Sequence, residues 1–161
     1  MTAGEPRLFT MAQEQLTRDD YYTPSWIFDA MGLEFDIDVC APPGGIPWIP
    51  ARRHFTQADD GLLQEWSGRV WMNPPYSQAT PWVRRFMAHA HGVMLIVHAK
   101  SAWHPALWKV ADGVVIPDDY FDFVGGPNGG SIFAPVFFAA FGEECVDAVA
   151  NLGTVRTKRP A

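Results

Sequence analysis

The sequence of 161 residues lacks any apolar run long enough to span a bilayer, so we expect no membrane-spanning segment. Its first residues lack the basic start and apolar stretch of a secretory signal, which favours a cytoplasmic location. Cysteine is scarce as well, because Cys40 and Cys145 are the only two and lie far apart in sequence. They fit a reducing compartment and do not have the spacing of a metal-ligand cluster, so we expect no metal.

Basic side chains are outnumbered, with 12 Lys and Arg against 18 Asp and Glu and a net charge of −6. A strong nonspecific hold on nucleic acid requires a basic footprint, and this charge balance argues against one. A local basic face remains open, and its candidates are Arg52, Arg53, Arg84, Arg85 and the basic residues near the end of the chain. Each of these side chains is individually well explained as solvated surface charge.

The remaining composition, 48% hydrophobic and 14% aromatic, is that of a globular protein rather than a disordered one. At this length we expect a single domain over residues 19–155. A mobile segment over 1–18 is expected before it, and a basic tail over 156–161 after it. No feature of the sequence sets the oligomeric state.

The strongest local signal is Asn73-Pro74-Pro75-Tyr76, which follows a short apolar run typical of a strand. Two successive prolines exclude helix and remove two backbone donors, so the strand ends there in a stiff turn. Open α/β sheets bind their ligands at the carboxyl ends of strands. The amide of Asn73 and the flat ring of Tyr76 suit a planar heterocycle with an amino group, such as a nucleobase.

A second signal is the segment 34–41, in which apolar and acidic residues alternate as in a strand. In nucleotide-binding α/β folds, a carboxylate at such a strand end commonly contacts a ribose hydroxyl or an amino group. Asp38 is our first choice for this role. Asp36 points to the same face of the strand, two residues earlier.

The order of the other elements predicts an α/β fold with a doubly wound, mostly parallel sheet and a terminal antiparallel hairpin. Val93–Val97 is a continuous apolar run, typical of a strand buried on both faces. The other expected segments are a helix opened by Thr23-Pro24-Ser25, a Pro/Gly-rich loop over 42–54, helices over 77–91, 103–111 and 143–152, and strands over 114–116 and 134–141.

The tetrapeptide 73–76 resembles the catalytic motif of amino-group methyltransferases that use S-adenosylmethionine. With the motifs around it, the chain resembles phage-type Dam-like DNA N-6-adenine methyltransferases over roughly residues 21 to 125. Those further motifs are, in order, Tyr22-Thr23-Pro24, the segment 35–41, Phe55-Thr56, Asp60-Gly61-Leu62 and Trp66.

The resemblance implies a compact Rossmann-like fold, S-adenosylmethionine as cofactor and double-stranded DNA as partner, in a bacterial or phage-infected cytosol. It implies that the side-chain oxygen of Asn73 and the carbonyl of Pro74 accept hydrogen bonds from a flipped adenine, on which Tyr76 stacks. By the same resemblance, the residues that hold the cofactor or line its pocket are Tyr22, Thr23, Pro24, Asp36, Asp38 and Asp60. Arg52, Arg53, Arg84 and Arg85 are then the candidates for contacts with DNA phosphates.

The chain departs from the family's usual pattern directly after the acidic strand. Large methyltransferases have a closely spaced glycine pair there, whereas this chain has Cys40-Ala41-Pro42-Pro43-Gly44-Gly45. It is therefore open whether this strand is the first or the second cofactor-binding strand. Two other functions also stay open, namely methyl transfer to a protein glutamine amide and a non-catalytic protein that only binds nucleic acid or cofactor. A Ser-His-Asp hydrolase is disfavoured because no nucleophile-elbow pattern surrounds a serine.

Overall fold

The computed structural model describes residues 21–97, 101–131 and 135–158. The segment 1–18, for which we predicted mobility, and the last residues of the predicted basic tail lie outside this range. The helices are α1 (Ser25–Met31), α2 (Ala79–His89), α3 (Trp103–Val110) and α4 (Glu143–Val149), with short 3-10 turns at Tyr76–Gln78 and Pro127–Gly130. The strands are β1 (Phe35–Asp38), β2 (Ala51–His54), β3 (Val70–Met72), β4 (Gly92–Val97), β5 (Gly113–Pro117), β6 (Val136–Phe141) and β7 (Gly153–Thr157).

In the described residues, seven strands form one sheet in the order β2-β1-β3-β4-β6-β5-β7. The first four strands in this order pair in parallel, and the pairs from β4 to β7 are antiparallel. Parallel and antiparallel pairs are therefore equally numerous among the described strands, whereas the sequence predicted a mostly parallel sheet. The expected antiparallel pairing of β5 with β6 is confirmed, but β6 lies between β4 and β5.

Helices cover both faces of the sheet. Buried residues of α1 and α4 pack with Trp71, Val93 and Leu95 in one core cluster. Buried residues of α2 and α3 pack on the other face with Met94 and Ile96. Because its side chains alternate between the two clusters, β4 is buried on both faces, as its continuous apolar sequence predicted. Within the described residues, no helix is long and apolar enough to cross a bilayer.

Two edge strands occupy segments for which the sequence predicted no strand. Strand β2 lies within the expected Pro/Gly-rich loop and pairs in parallel with β1 alone, so Arg52 and Arg53 belong to a strand. Strand β7 pairs with β5 and reaches Thr157, so the expected basic tail begins inside the sheet. Both strands are short and carry charged side chains, which edge strands tolerate because one side faces solvent. Their polar composition is why the apolar pattern did not reveal them.

Candidate active site

The tetrapeptide 73–76 lies at the carboxyl end of β3, whose three residues are completely buried. Strand β3 pairs in parallel with β1 on one side and β4 on the other, so the carboxyl ends of these strands meet at one edge. Asp38 is the register partner of Trp71, two residues before Asn73. The structure therefore brings Asp38 and the tetrapeptide together on neighbouring strands, and places the acidic strand directly beside the tetrapeptide's own strand.

The orientation of the Asn73 amide follows from its partner. Its Nδ2 donates a hydrogen bond to the backbone carbonyl of Tyr21 at 2.7 Å. A carbonyl oxygen can only accept, so this contact determines which end of the amide faces Tyr21. The Oδ1 atom therefore points away from that carbonyl and is the end of the amide that can accept a hydrogen bond.

The ring of Tyr76 belongs to an aromatic group with Tyr21 and Phe123. It stacks on Tyr21 with the ring centroids 5.9 Å apart and the planes at 25°, and it meets Phe123 edge-on at 6.2 Å. Tyr21 in turn meets Phe123 at 5.6 Å. Pro75 keeps an extended backbone, and the chain turns only at Tyr76, where the 3-10 turn leads into α2. The strand thus ends before the proline pair, and the turn that the sequence predicted at the prolines begins only after them.

Asp38 is a buried carboxyl, only 3% exposed. Its Oδ1 accepts a hydrogen bond from the backbone N–H of Cys40 at 3.2 Å. Burial raises the pKa of Asp38 from 3.8 to about 7, and the Cys40 hydrogen bond offsets this only in part. A ligand that donates hydrogen bonds or carries positive charge would therefore stabilise the ionised form of this carboxyl. Burial and the neighbouring Asp38 also raise the pKa of the Cys40 thiol, which argues against a thiolate nucleophile.

Asp36 has other partners. Its Oδ2 accepts a hydrogen bond from the backbone N–H of Arg69 at 2.7 Å, and its Oδ1 lies 4.0 Å from Nε of Arg52. These contacts join β1 to the turn that precedes β3, towards the amino ends of the two strands. The structure therefore does not bring the Asp36 carboxylate to the tetrapeptide, and gives it a structural role.

The segment Tyr22-Thr23-Pro24 is anchored on two sides. Tyr22 and Val124 exchange backbone hydrogen bonds of 2.9 and 2.8 Å, and the indole Nε1 of Trp48 donates to the carbonyl of Thr23 at 2.8 Å. The Trp48 contact ties this segment to the loop that follows β1. Thr23 is completely buried, and its hydroxyl has no hydrogen-bond partner among the described residues. Pro24 is the N-cap of α1, as the sequence predicted.

Asp60 lies in an exposed turn with a left-handed backbone, at φ 52°. The next residue, Gly61, approaches the end of β1 so closely that a Cβ there would lie 2.5 Å from the carbonyl oxygen of Val39. The Asp60 turn is therefore held beside the carboxyl end of the strand that carries Asp38. Trp66 strengthens this attachment, because its Nε1 donates to the carbonyl of Gly61 at 2.8 Å.

The four candidate arginines lie on two elements, β2 and α2. Arg52 and Arg53 are exposed on β2 and line a shallow pocket of about 300 Å³ that does not include Asn73 or Tyr76. Both residues are held in the sheet by β2, and their contact with DNA phosphates stays a prediction. On α2, Arg84 is exposed, whereas the half-buried Arg85 packs over the Trp66 ring at 5.0 Å.

A separate cavity of about 320 Å³ adjoins the tetrapeptide. Tyr76 and the residues that follow it line one side, and Ile96, Val97 and Trp103 line the other. Asn73 and Asp38 do not line it.

At the amino end of β4, His91, Glu144 and Cys145 offer atoms within 4.8 Å of one another, the one such group of possible metal ligands in the part of the chain described. His91 pairs with Glu144 at 2.6 Å and Arg69 lies 3.5 Å from the same oxygen, so these groups already satisfy each other.

In a comparison with known proteins, a family model described as DNA N-6-adenine-methyltransferase (Dam) matches residues 11–132. The chain belongs to this family. The match confirms the predicted family and contains every site residue that the sequence predicted. A DNA N-6-adenine-methyltransferase of Haemophilus phage HP1 is 29% identical over an alignment of 124 residues, and the match covers 70% of each chain. No solved structure matched the chain significantly.

Several residues of this Dam-family site did not stand out in the sequence. Tyr21, Phe123 and Trp48 contact the predicted residues, but they lie far from the tetrapeptide in sequence. The available signals were indirect. Tyr21 is adjacent to the Tyr22-Thr23-Pro24 motif, and Phe123 lies in an acidic and aromatic segment after β5.

Proposed function

We propose that this Dam-family protein transfers a methyl group from S-adenosylmethionine to the exocyclic amino group of an adenine at specific sites in double-stranded DNA. The observation that carries the proposal is the orientation of Asn73 at the end of β3. Its Nδ2 is engaged by the Tyr21 carbonyl at 2.7 Å, so Oδ1 is the end of the amide that can meet a substrate. An amino group is the hydrogen-bond donor that such an oxygen recognises.

The proposed chemistry follows from that oxygen. The lone pair of an adenine amino group is delocalised into the ring, which makes the nitrogen a poor nucleophile. Hydrogen bonds from its two N–H groups to Asn73 Oδ1 and the Pro74 carbonyl favour the pyramidal form, in which the lone pair is localised. With the cofactor bound, the nitrogen would form a bond to its methyl carbon as the carbon–sulfur bond breaks, and one amino proton would leave to water. This displacement needs no covalent enzyme intermediate, in agreement with the raised pKa of the Cys40 thiol.

The residues near the end of β1 fit the cofactor. S-adenosylmethionine would supply the methyl group on a sulfonium centre, which leaves as a neutral thioether. Asp38 is buried and receives one backbone hydrogen bond from the described residues, so ribose hydroxyls or an ammonium group would stabilise its ionised form. The buried Thr23 hydroxyl offers a further polar group. Asp60 is placed beside the same strand end through Gly61, and we assign it to the rim of the pocket.

A base in a duplex cannot reach Asn73 without leaving the stack, so the proposal includes flipping of the adenine. We assign Tyr76 to stack on the flipped base, and exposed arginines, with Arg84 first among them, to contact DNA phosphates. Helices on both faces of the sheet support assignment to the doubly wound, Rossmann-like methyltransferase architecture.

The destination of the methyl group tests the proposal. The purified protein is incubated with S-adenosylmethionine labelled in its methyl group, DNA without adenine methylation and a host protein extract, and the products are digested and separated. Label in N6-methyladenine supports the proposal. Label in protein glutamine would replace it with amide methylation, and cofactor binding without any transfer would leave only a binding function. Sequencing the modified DNA then identifies the target site.

A further inference from the structure

Tyr21 contacts the tetrapeptide at both of its ends. Its backbone carbonyl accepts the hydrogen bond from Asn73 Nδ2 at 2.7 Å, and its ring stacks on Tyr76 at 5.9 Å. The side chain is 8% exposed, so most of the ring is enclosed by neighbouring residues. One residue thus touches both the amide to which we assign the adenine amino group and the ring to which we assign the base.

The position of Tyr21 is itself determined by the segment 123–126. Phe123 packs edge-on against its ring at 5.6 Å, and the next residue along the chain, Tyr22, exchanges two backbone hydrogen bonds with Val124. Gly126 packs closely against the Tyr21 ring. A Cβ at this position would come within 2.6 Å of two of the ring carbons. The absence of a side chain at Gly126 is therefore required for Tyr21 to occupy its place.

We propose that Tyr21 is a positioning residue for the methyl transfer, acting through Asn73 and Tyr76 and held in place by residues 123–126. This inference rests on the proposed function of the site. If the Asn73 amide turned over, its Oδ1 would face the Tyr21 carbonyl, and two acceptors would repel each other. The Tyr21 carbonyl therefore excludes the orientation in which an Asn73 N–H would face the N–H groups of adenine.

Two nearby glycines provide a matched pair of variants. Gly126→Ala introduces a Cβ that collides with the Tyr21 ring, at a backbone φ of +76°. Gly129→Ala introduces the same left-handed strain, at φ +65°, but with no atom within 4 Å. We expect Gly126→Ala to lower kcat by about tenfold or more, with both KM values within about twofold of the parent, whereas Gly129→Ala stays near the parent.

Two further variants separate positioning from folding. Tyr21→Phe keeps the ring and the carbonyl, so its kcat should lie within about twofold of the parent, while Tyr21→Ala should resemble Gly126→Ala. In an Asn73→Ala background, Gly126→Ala should lower kcat by a smaller factor than in the parent, because only the part of the effect that acts through Tyr76 remains. An undiminished effect in that background, or equal losses in the two glycine variants, would overturn the proposal.

A measurement without turnover keeps this inference distinguishable from the proposed function. The side-chain NH2 signals of Asn73 are assigned in a ¹⁵N correlation spectrum by their loss in Asn73→Ala. They should shift in Gly126→Ala and stay in place in Gly129→Ala, because only the first displaces Tyr21. Unshifted signals in Gly126→Ala would refute the positioning role. If Gly126→Ala shows the expected shift but the parent protein methylates no DNA, the proposed function is refuted. The positioning of Asn73 by Tyr21 then still stands.

Discussion

The carboxyl of Asp38 makes cofactor binding depend on pH in a way that can be calculated. Burial raises the pKa of Asp38 to about 7 in the protein without ligand. If the cofactor binds the ionised form, the apparent Kd is the intrinsic Kd divided by the ionised fraction. That fraction rises from about one tenth at pH 6 to about nine tenths at pH 8, so affinity should increase about tenfold over this range.

The raised pKa of Asp38 also makes the free energy of unfolding depend on pH. A carboxyl whose pKa is raised from 3.8 to about 7 on folding binds more protons in the folded state, so the free energy of unfolding falls as pH rises between these values. At 1.36 kcal/mol for each pKa unit, the loss above pH 7 is about 4 kcal/mol. Well below pH 3.8, both states are protonated and the penalty disappears. Asp38→Asn keeps an acceptor for the Cys40 N–H and removes this pH dependence.

Isothermal titration calorimetry at pH 6, 7 and 8 measures the effect on binding. The amino group of the cofactor titrates near this range as well, and the Asp38→Asn variant reports that contribution because it lacks the carboxyl. We expect the parent to gain about tenfold in affinity relative to Asp38→Asn between pH 6 and 8. Asp36→Asn serves as the control and should retain the parent's pH dependence, because the Asp36 carboxylate bonds to Arg69 instead. Parallel pH profiles for the parent and Asp38→Asn would refute the assignment of Asp38 to the cofactor.

Two further predictions concern DNA binding and the core. If Arg52 and Arg53 contact phosphates, the double change to Ala should flatten the plot of log affinity against log salt by about two units without changing the methylated site, and an unchanged slope would show that β2 faces away from DNA. Trp71 is completely buried and packs against Phe28 and Phe35, so Trp71→Ala should lower the free energy of unfolding by about 3–5 kcal/mol. Urea denaturation measures that loss, and a change below about 1 kcal/mol would contradict the packing described here.

Local sequence patterns predicted the parts of the fold that local chemistry determines. The proline pair ends a strand, and the continuous apolar run of β4 indicated burial on both faces. The alternation over 34–41 predicted a strand, and β1 lies there with Asp38 as its last residue. Each of these features depends on a few neighbouring residues, which is why they could be predicted from the sequence.

The remaining features depend on contacts between residues far apart in sequence. The partners of Asp36 are Arg69 and Arg52, and neither contact could be foreseen from the alternation that placed Asp36 and Asp38 on one face. The edge strands β2 and β7 carry charged residues, so their pairing depends on the strands beside them. The link between Tyr21 and Asn73 spans 52 positions and uses a backbone carbonyl, which leaves no trace in residue type.

Single-turnover methyl transfer measures directly whether the oriented amide of Asn73 promotes the reaction. Saturating Asn73→Ala and the parent with labelled S-adenosylmethionine and duplex DNA isolates the chemical step from binding and product release. The account predicts that Asn73→Ala, with the folding stability and cofactor affinity of the parent, forms N6-methyladenine at least about a hundredfold more slowly. This is the scale of loss when one oriented polar group is removed from a reacting centre. A folded Asn73→Ala variant that methylates adenine at close to the parent rate would contradict it.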